Sequence, residues 1–172
     1  MNWMLEEGFA EILPAVQSAE ELVHILQKLR QTVATAESCT GGMTASRIVS
    51  VPGASEVFEN GFITYCDRAK ERLLQVSSRT LANCTAVSAE TAAEMAAGCA
   101  KAGQADLALS VTGLAGPGGG TPSRPVGLVY IGCFYRERIL VQEYRFSGSR
   151  EEIRCQAAAA ALQLGCYCLR AR

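Results

Sequence analysis

Ser38 stands where a hydroxyl can act as a nucleophile. A β-branched run (Thr32, Val33, Thr35) leads into Ala36-Glu37-Ser38-Cys39-Thr40-Gly41-Gly42, and a helical pattern with Met43, Ile48 and Val49 follows. That order predicts strand, tight turn and helix, which sets the Ser38 hydroxyl and free backbone N–H groups at a helix N-terminus. The N–H groups near Gly41 and Gly42 would there face developing negative charge, an oxyanion or a phosphate. An ordinary N-cap, with Ser38 or Thr40 accepting from the first turn, fits the same residues. Cys39 is the rival nucleophile, because a helix N-terminus lowers a thiol pKa. Adjacent side chains rarely both face one site, so only one of the two can act.

A serine nucleophile needs a base, and this chain offers few. His24 is the only histidine, set within the amphipathic pattern Leu22, Val23, Ile25, Leu26, Leu29. Asp67 and Asp106 are the only aspartates. A multi-histidine metal site is therefore excluded within one chain, and an aspartate cluster for paired magnesium ions is disfavoured. Lys28, Lys70 and Lys101 are the only lysines, while arginine is abundant. A desolvated lysine loses its proton toward neutrality, whereas arginine keeps its charge. Lys28 and Lys101 fall on predicted exposed helix faces, which leaves Lys70. A Ser38–Lys70 pair would make a hydrolase that needs no metal and no cofactor.

Thr112-Gly113-Leu114-Ala115-Gly116-Pro117-Gly118-Gly119-Gly120-Thr121 follows an apolar run and is expected to be neither helix nor strand. Glycines let backbone N–H groups close on an anion or a flat ring. The pattern is neither a Walker A loop nor a dinucleotide fingerprint, and a plain surface loop is the competing interpretation. Arg150, at the start of the last helix, offers a bidentate clamp for phosphate, or is a solvated arginine.

The elements that must position these groups alternate along the chain. Residues 1–17 are expected to form a helical arm broken at Pro14, and 18–172 a single domain. Ser18-x-x-Glu21 is read as a capping box opening a helix to about Arg30. Strands are expected at 31–37, 57–65, 106–112, 125–135 and 139–146, the last two as a hairpin. Helices are expected after Gly42, at 67–75 with Lys70, from Ser88 to Gly103, and from a second capping box, Ser149-x-x-Glu152, to Cys168. This alternation predicts a three-layer α/β/α domain with a mixed, mostly parallel sheet.

Composition narrows the function. The chain has 172 residues with a formal net charge of −1 and no basic stripe, so a nucleic-acid partner is not expected. No apolar run is long enough for a membrane span, and the acidic N-terminus (Glu6, Glu7, Glu11) is unlike a secretory signal. The eight cysteines lie in apolar patterns without a C-x-x-C pair, as reduced thiols of a cytoplasmic protein do.

Several motifs together resemble the CinA C-terminal family. They are Ala36 to Gly42, Pro52-Gly53-Ala54-Ser55, Tyr65-x-x-x-x-Lys70, Ala86-Val87-Ser88, Thr112 to Pro117, Pro125-Val126-Gly127 and Gly148-x-Arg150, in the family's order over roughly residues 18–168. The family includes stand-alone nicotinamide-nucleotide amidases. The resemblance implies deamidation of nicotinamide mononucleotide to nicotinate mononucleotide and ammonia, without a metal or cofactor. It implies Ser38 as nucleophile, Lys70 as base and Tyr65 as their neighbour. Thr40, Gly41, Gly42, Ser55, Thr112, Gly113 and Arg150 are implied around the substrate. Three positions depart from the pattern: Thr85 where the family usually has glycine, Ser149 where it has aspartate, and Asp67 where asparagine is frequent. A non-catalytic nucleotide-binding regulatory module is the alternative reading, and the apolar N-terminal arm leaves a homo-oligomer open.

Overall fold

The computed structural model describes residues 2–171. Its strands are β1 (Trp3–Glu7), β2 (Val33–Glu37), β3 (Phe58–Ile63), β4 (Leu107–Gly113), β5 (Leu128–Tyr135) and β6 (Arg138–Arg145). Its helices are α1 (Ala15–Leu29), α2 (Met43–Val49), α3 (Asp67–Leu74), α4 (Ser78–Cys84), α5 (Ala89–Gly103) and α6 (Arg150–Arg170). One six-stranded sheet runs in the order β1-β6-β5-β4-β2-β3. β2 pairs in parallel with β3 and β4, and β1 in parallel with β6, while β5 is antiparallel to both neighbours. Helices α1, α2 and α6 pack together on one face, and α3 and α4 pack on α5 on the other. The expected three layers and mixed sheet are present.

The apolar spacing accounts for both layers. Leu22 and Leu26 of α1 meet Leu107, Leu109 and Ile131 of the sheet and Leu162 of α6 in one core. The alanines at 157–161 are buried, so their small side chains let α6 lie close to α1 and the sheet. On the opposite face Leu74, Met95, Cys99 and Ala108 form a second core under α5. Gly98 is needed there: a Cβ on it would stand 1.8 Å from the Leu74 carbonyl oxygen. The bare backbone of α5 thus sets how closely α3, which carries Lys70, can approach.

Three local expectations are corrected. The segment 1–17 is not a helical arm: Trp3–Glu7 is an edge strand, with Trp3 packed against the cluster that contains Ile139 and Val141. Pairing with β6 satisfies the backbone groups on one side of it, and an isolated short helix is marginal in water. Ser18 does not cap α1, which begins at Ala15 after Pro14; Ser18 is buried inside the helix and Glu21 reaches Arg170 instead. The seven-residue α4 was not anticipated, although Ser77 caps it by accepting from the Arg79 N–H. The Ser149–Glu152 capping box opens α6 as expected.

The topology prepares a crevice. From β2 the chain crosses through α2 to β3 on one side of β2, then returns through α3, α4 and α5 to β4 on the other side. The two crossovers cover opposite faces of the sheet, so they part at the C-terminal end of β2. In open α/β sheets such a switch point is where ligands bind. Ser38 is the first residue beyond it.

Candidate active site

Glu37 ends β2 as a fully buried carboxylate, 1% exposed. It accepts backbone N–H bonds from Gly42 and Thr44 at 3.0 Å and from Ala45 at 2.8 Å. The strand's last side chain therefore fills the N-terminus of α2 with its own anion. Gly42, at φ 98, gives the chain its turn into the helix. This overturns the expectation that N–H groups at Gly41 and Gly42 face a substrate. The Gly42 N–H belongs to Glu37, and the Gly41 N–H donates to the Ser38 carbonyl at 3.1 Å. Arg154 of α6 braces the same turn, donating to the Cys39 carbonyl at 3.0 Å and the Thr40 carbonyl at 2.8 Å.

The turn delivers Ser38 to a cleft of about 230 Å³. Lys70, on the first turns of α3, extends into it from the other layer, and its side chain is buried to 1% exposure. Lys70 Nζ lies 3.1 Å from Ser38 Oγ and donates to the Thr64 carbonyl at 2.8 Å. No carboxylate pairs with it among the described residues. Burial holds the Lys70 pKa below its ordinary 10.5, and Asp67 acts in the opposite sense. Such an amine can take a proton from the hydroxyl it touches.

Cys39 also borders this cleft, but its thiol is not activated there. It is almost fully buried, and burial pushes its thiol pKa up to about 11, with Glu37 adding to the rise. That is the reverse of an activated thiol.

The far wall is built by the end of β4 and the glycine loop. The buried Thr112 hydroxyl donates to the Ala86 carbonyl at 2.5 Å, tying β4 to the segment before α5. Gly113 needs its missing side chain, since a Cβ would sit 2.7 Å from the Leu128 carbonyl oxygen. Arg150, at the first position of α6, donates to the Gly116 carbonyl and, at 2.8 Å, to the Tyr65 hydroxyl. This single side chain links the glycine loop, the β3–α3 connection and α6 around the cleft.

Of the residues singled out in the sequence, Ser38, Tyr65, Lys70, Thr112, Gly113 and Arg150 line this one cleft. Thr40 is buried beneath the turn with its hydroxyl unpartnered, and Gly41 and Gly42 lie outside the lining. Ser55 is also outside. It sits in the short turn Ala54–Glu56 that precedes β3, at the N-terminal end of the parallel strands. That is a strand length from Ser38, roughly 15–20 Å. Sequence reasoning missed Glu37 and Arg154. A carboxylate ending a strand just before a glycine turn was the available signal for Glu37. Arg154 lies one helical turn beyond Arg150, on the same face of α6. Among the described residues no three His, Cys, Asp or Glu side chains come together as a metal site. No helix among them is long and apolar enough to cross a membrane.

A three-layer α/β domain with a serine and a buried lysine at its topological switch point is the class that fold and cleft define. The chain belongs to the CinA C-terminal domain family, whose family model matches residues 15–168. A CinA-like protein of Kosmotoga olearia is 50% identical over 147 residues, 85% of this chain and 36% of the relative. The chain thus spans little more than a third of that curated relative. Solved structures correspond over nearly their whole length. The competence/damage inducible protein CihA from Agrobacterium tumefaciens is 37% identical with a TM-score of 0.85, covering 91% of this chain and 96% of that one. The competence damage-inducible protein A from Klebsiella pneumoniae is 30% identical with a TM-score of 0.88, covering 93% and 100%.

Proposed function

We propose that this domain hydrolyses the carboxamide of nicotinamide mononucleotide, releasing ammonia and nicotinate mononucleotide. The observation that carries this reading is the buried Lys70 amine 3.1 Å from Ser38 Oγ in a cleft open to a small substrate. Neutral Lys70 takes the Ser38 proton as Oγ attacks the carboxamide carbon. The resulting oxyanion faces the N–H of Cys39, the donor next to the nucleophile that neither Glu37 nor the α2 turn consumes. The C–N bond then breaks, and Lys70 returns the proton to the departing amine so that it leaves as ammonia. Water attacks the Ser38 ester, giving its proton to Lys70. The acid leaves, and Ser38 Oγ recovers its proton from Lys70. Arg150 and Tyr65 hold the glycine loop against the substrate ring.

Pure binding would not call for a buried, unpaired lysine, because burying a charge without a partner destabilises the fold. Incubation of the purified protein with nicotinamide mononucleotide, assaying ammonia and nicotinate mononucleotide together, tests the reading. Stoichiometric formation of both is the expected result. Nucleotide binding with neither product would favour a regulatory module.

A further inference from the structure

Past Val87 the Ser38 cleft continues into a second lobe of about 530 Å³, with Asp67, Ala86, Val87 and Leu114 common to both. Arg124 and the hydroxyl-bearing Thr85, Thr121 and Ser123 line the new part. Arg124 is fixed at its base, because Thr121 N–H donates to the Arg124 carbonyl at 2.8 Å and Arg124 N–H donates back at 3.1 Å. Its guanidinium donates from Nη1 to Thr85 Oγ1 at 2.6 Å. No carboxylate lies within ion-pair distance of it among the described residues. This cation is oriented but not neutralised.

Thr85 is an unusual choice for its position. Its backbone has φ 71 and ψ 171, a region that is essentially glycine's, and a β-branched residue there is strained. Glycine would relieve the strain but supply no hydroxyl. The Thr85 hydroxyl accepts from Arg124 and, at 3.4 Å, from the N–H of Val87 on the wall between the lobes. The strain therefore sits at a residue that joins the unpaired Arg124 guanidinium to the wall of the Ser38 cleft.

We infer that the second lobe is the phosphate subsite, in which Arg124 binds the phosphoryl group of a ribose-phosphate substrate and Thr85 positions Arg124. This deepens, and rests on, the reading of the cleft as a nicotinamide-nucleotide amidase. An Arg fork suits phosphate oxygens, and the Thr121 and Ser123 hydroxyls add donors. Asp67, on the wall shared by the lobes, is an acceptor for ribose hydroxyls between the two ends. The substrate then lies with its carboxamide at Ser38 and its phosphate at Arg124. Arg150, engaged with Gly116 and Tyr65, stays on the Ser38 side.

Ribose 5-phosphate, which has no amide, tests the subsite apart from the chemistry. Titration calorimetry on the wild type, Arg124→Met, Thr85→Gly and Thr85→Ser compares its affinity with that for ribose. Arg124→Met is expected to weaken ribose 5-phosphate roughly 10- to 100-fold and leave ribose unchanged. Thr85→Gly should weaken it in the same direction, and Thr85→Ser, which keeps the hydroxyl, should restore it. In turnover, Arg124→Met should raise KM for the nucleotide with kcat nearly unchanged and leave the riboside unaffected. If Arg124 governs ribose 5-phosphate binding but the wild type releases no ammonia, the subsite stands and the amidase reading falls. An unaltered ribose 5-phosphate affinity in Arg124→Met, or loss in Thr85→Ser equal to that in Thr85→Gly, overturns the subsite whatever the turnover.

Discussion

Ser38 and Lys70 are 32 positions apart in the sequence and 3.1 Å apart at Oγ and Nζ. The scarcity of histidine and lysine made this pair legible, since elimination left Lys70 as the candidate for a base, a role that arginine cannot fill. The Cys39 thiol, equally suggestive in sequence, is buried and pushed up to about 11, a consequence of packing that adjacency does not reveal. The lowered Lys70 pKa has a thermodynamic signature. Between the folded value and 10.5 the unfolded chain still holds a proton that the folded chain has lost. Stability therefore rises with pH across that window and is independent of this group below it. Lys70→Met removes the rise. Denaturant titrations of both proteins from about pH 7 to 10 should show the balance shifting toward the wild type as pH increases. A constant difference would mean that burial leaves Lys70 unperturbed. The same ionisation predicts that kcat/KM falls on the acid side, with an apparent pKa below 10.5.

At the scale of elements, strong periodic signals were readable and compensated ones were not. α5, α6 and the buried strands follow from apolar spacing and caps, but β1 is too short and acidic for its alternation to stand out, and only pairing with β6 defines it. Ser55 belongs to a motif that is adjacent to the site in sequence order but lies at the wrong end of the sheet. The α2 N-terminus looked open because nothing in the sequence says that Glu37 turns back into it. Glu37→Ala should cost about 3 kcal/mol in denaturant titration, since three N–H groups at the start of α2, that of Thr44 buried, lose their charged acceptor. Glu37→Gln, which retains an acceptor oxygen, should fall between. A loss under about 0.5 kcal/mol would mean that water replaces the carboxylate freely. Gly98→Ala drives a methyl into the Leu74 carbonyl and must displace α3 from α5. It should cost about 1–3 kcal/mol. It should also lower kcat more than it raises KM, because Lys70 moves with the helix. Full activity at reduced stability would show that α5 yields instead.

Over the whole molecule the site exists only because two layers and both crossovers meet at the end of β2. Ser38 comes from one side of the sheet's switch point, Lys70 from a helix on the opposite layer, the glycine loop from β4 and Arg150 from the last helix. The three-layer class was visible in the alternation of elements, whereas the strand order that sets these four segments side by side depends on long-range pairing. The most direct measurement is nicotinamide mononucleotide turnover by Lys70→Arg, alongside Ser38→Ala and the wild type. Lys70→Arg keeps the positive charge and removes the base. Its kcat/KM should fall to within a few-fold of the Ser38→Ala residue of activity, with the double variant little worse than either. Retention of most wild-type turnover by Lys70→Arg would contradict the Ser38–Lys70 mechanism outright.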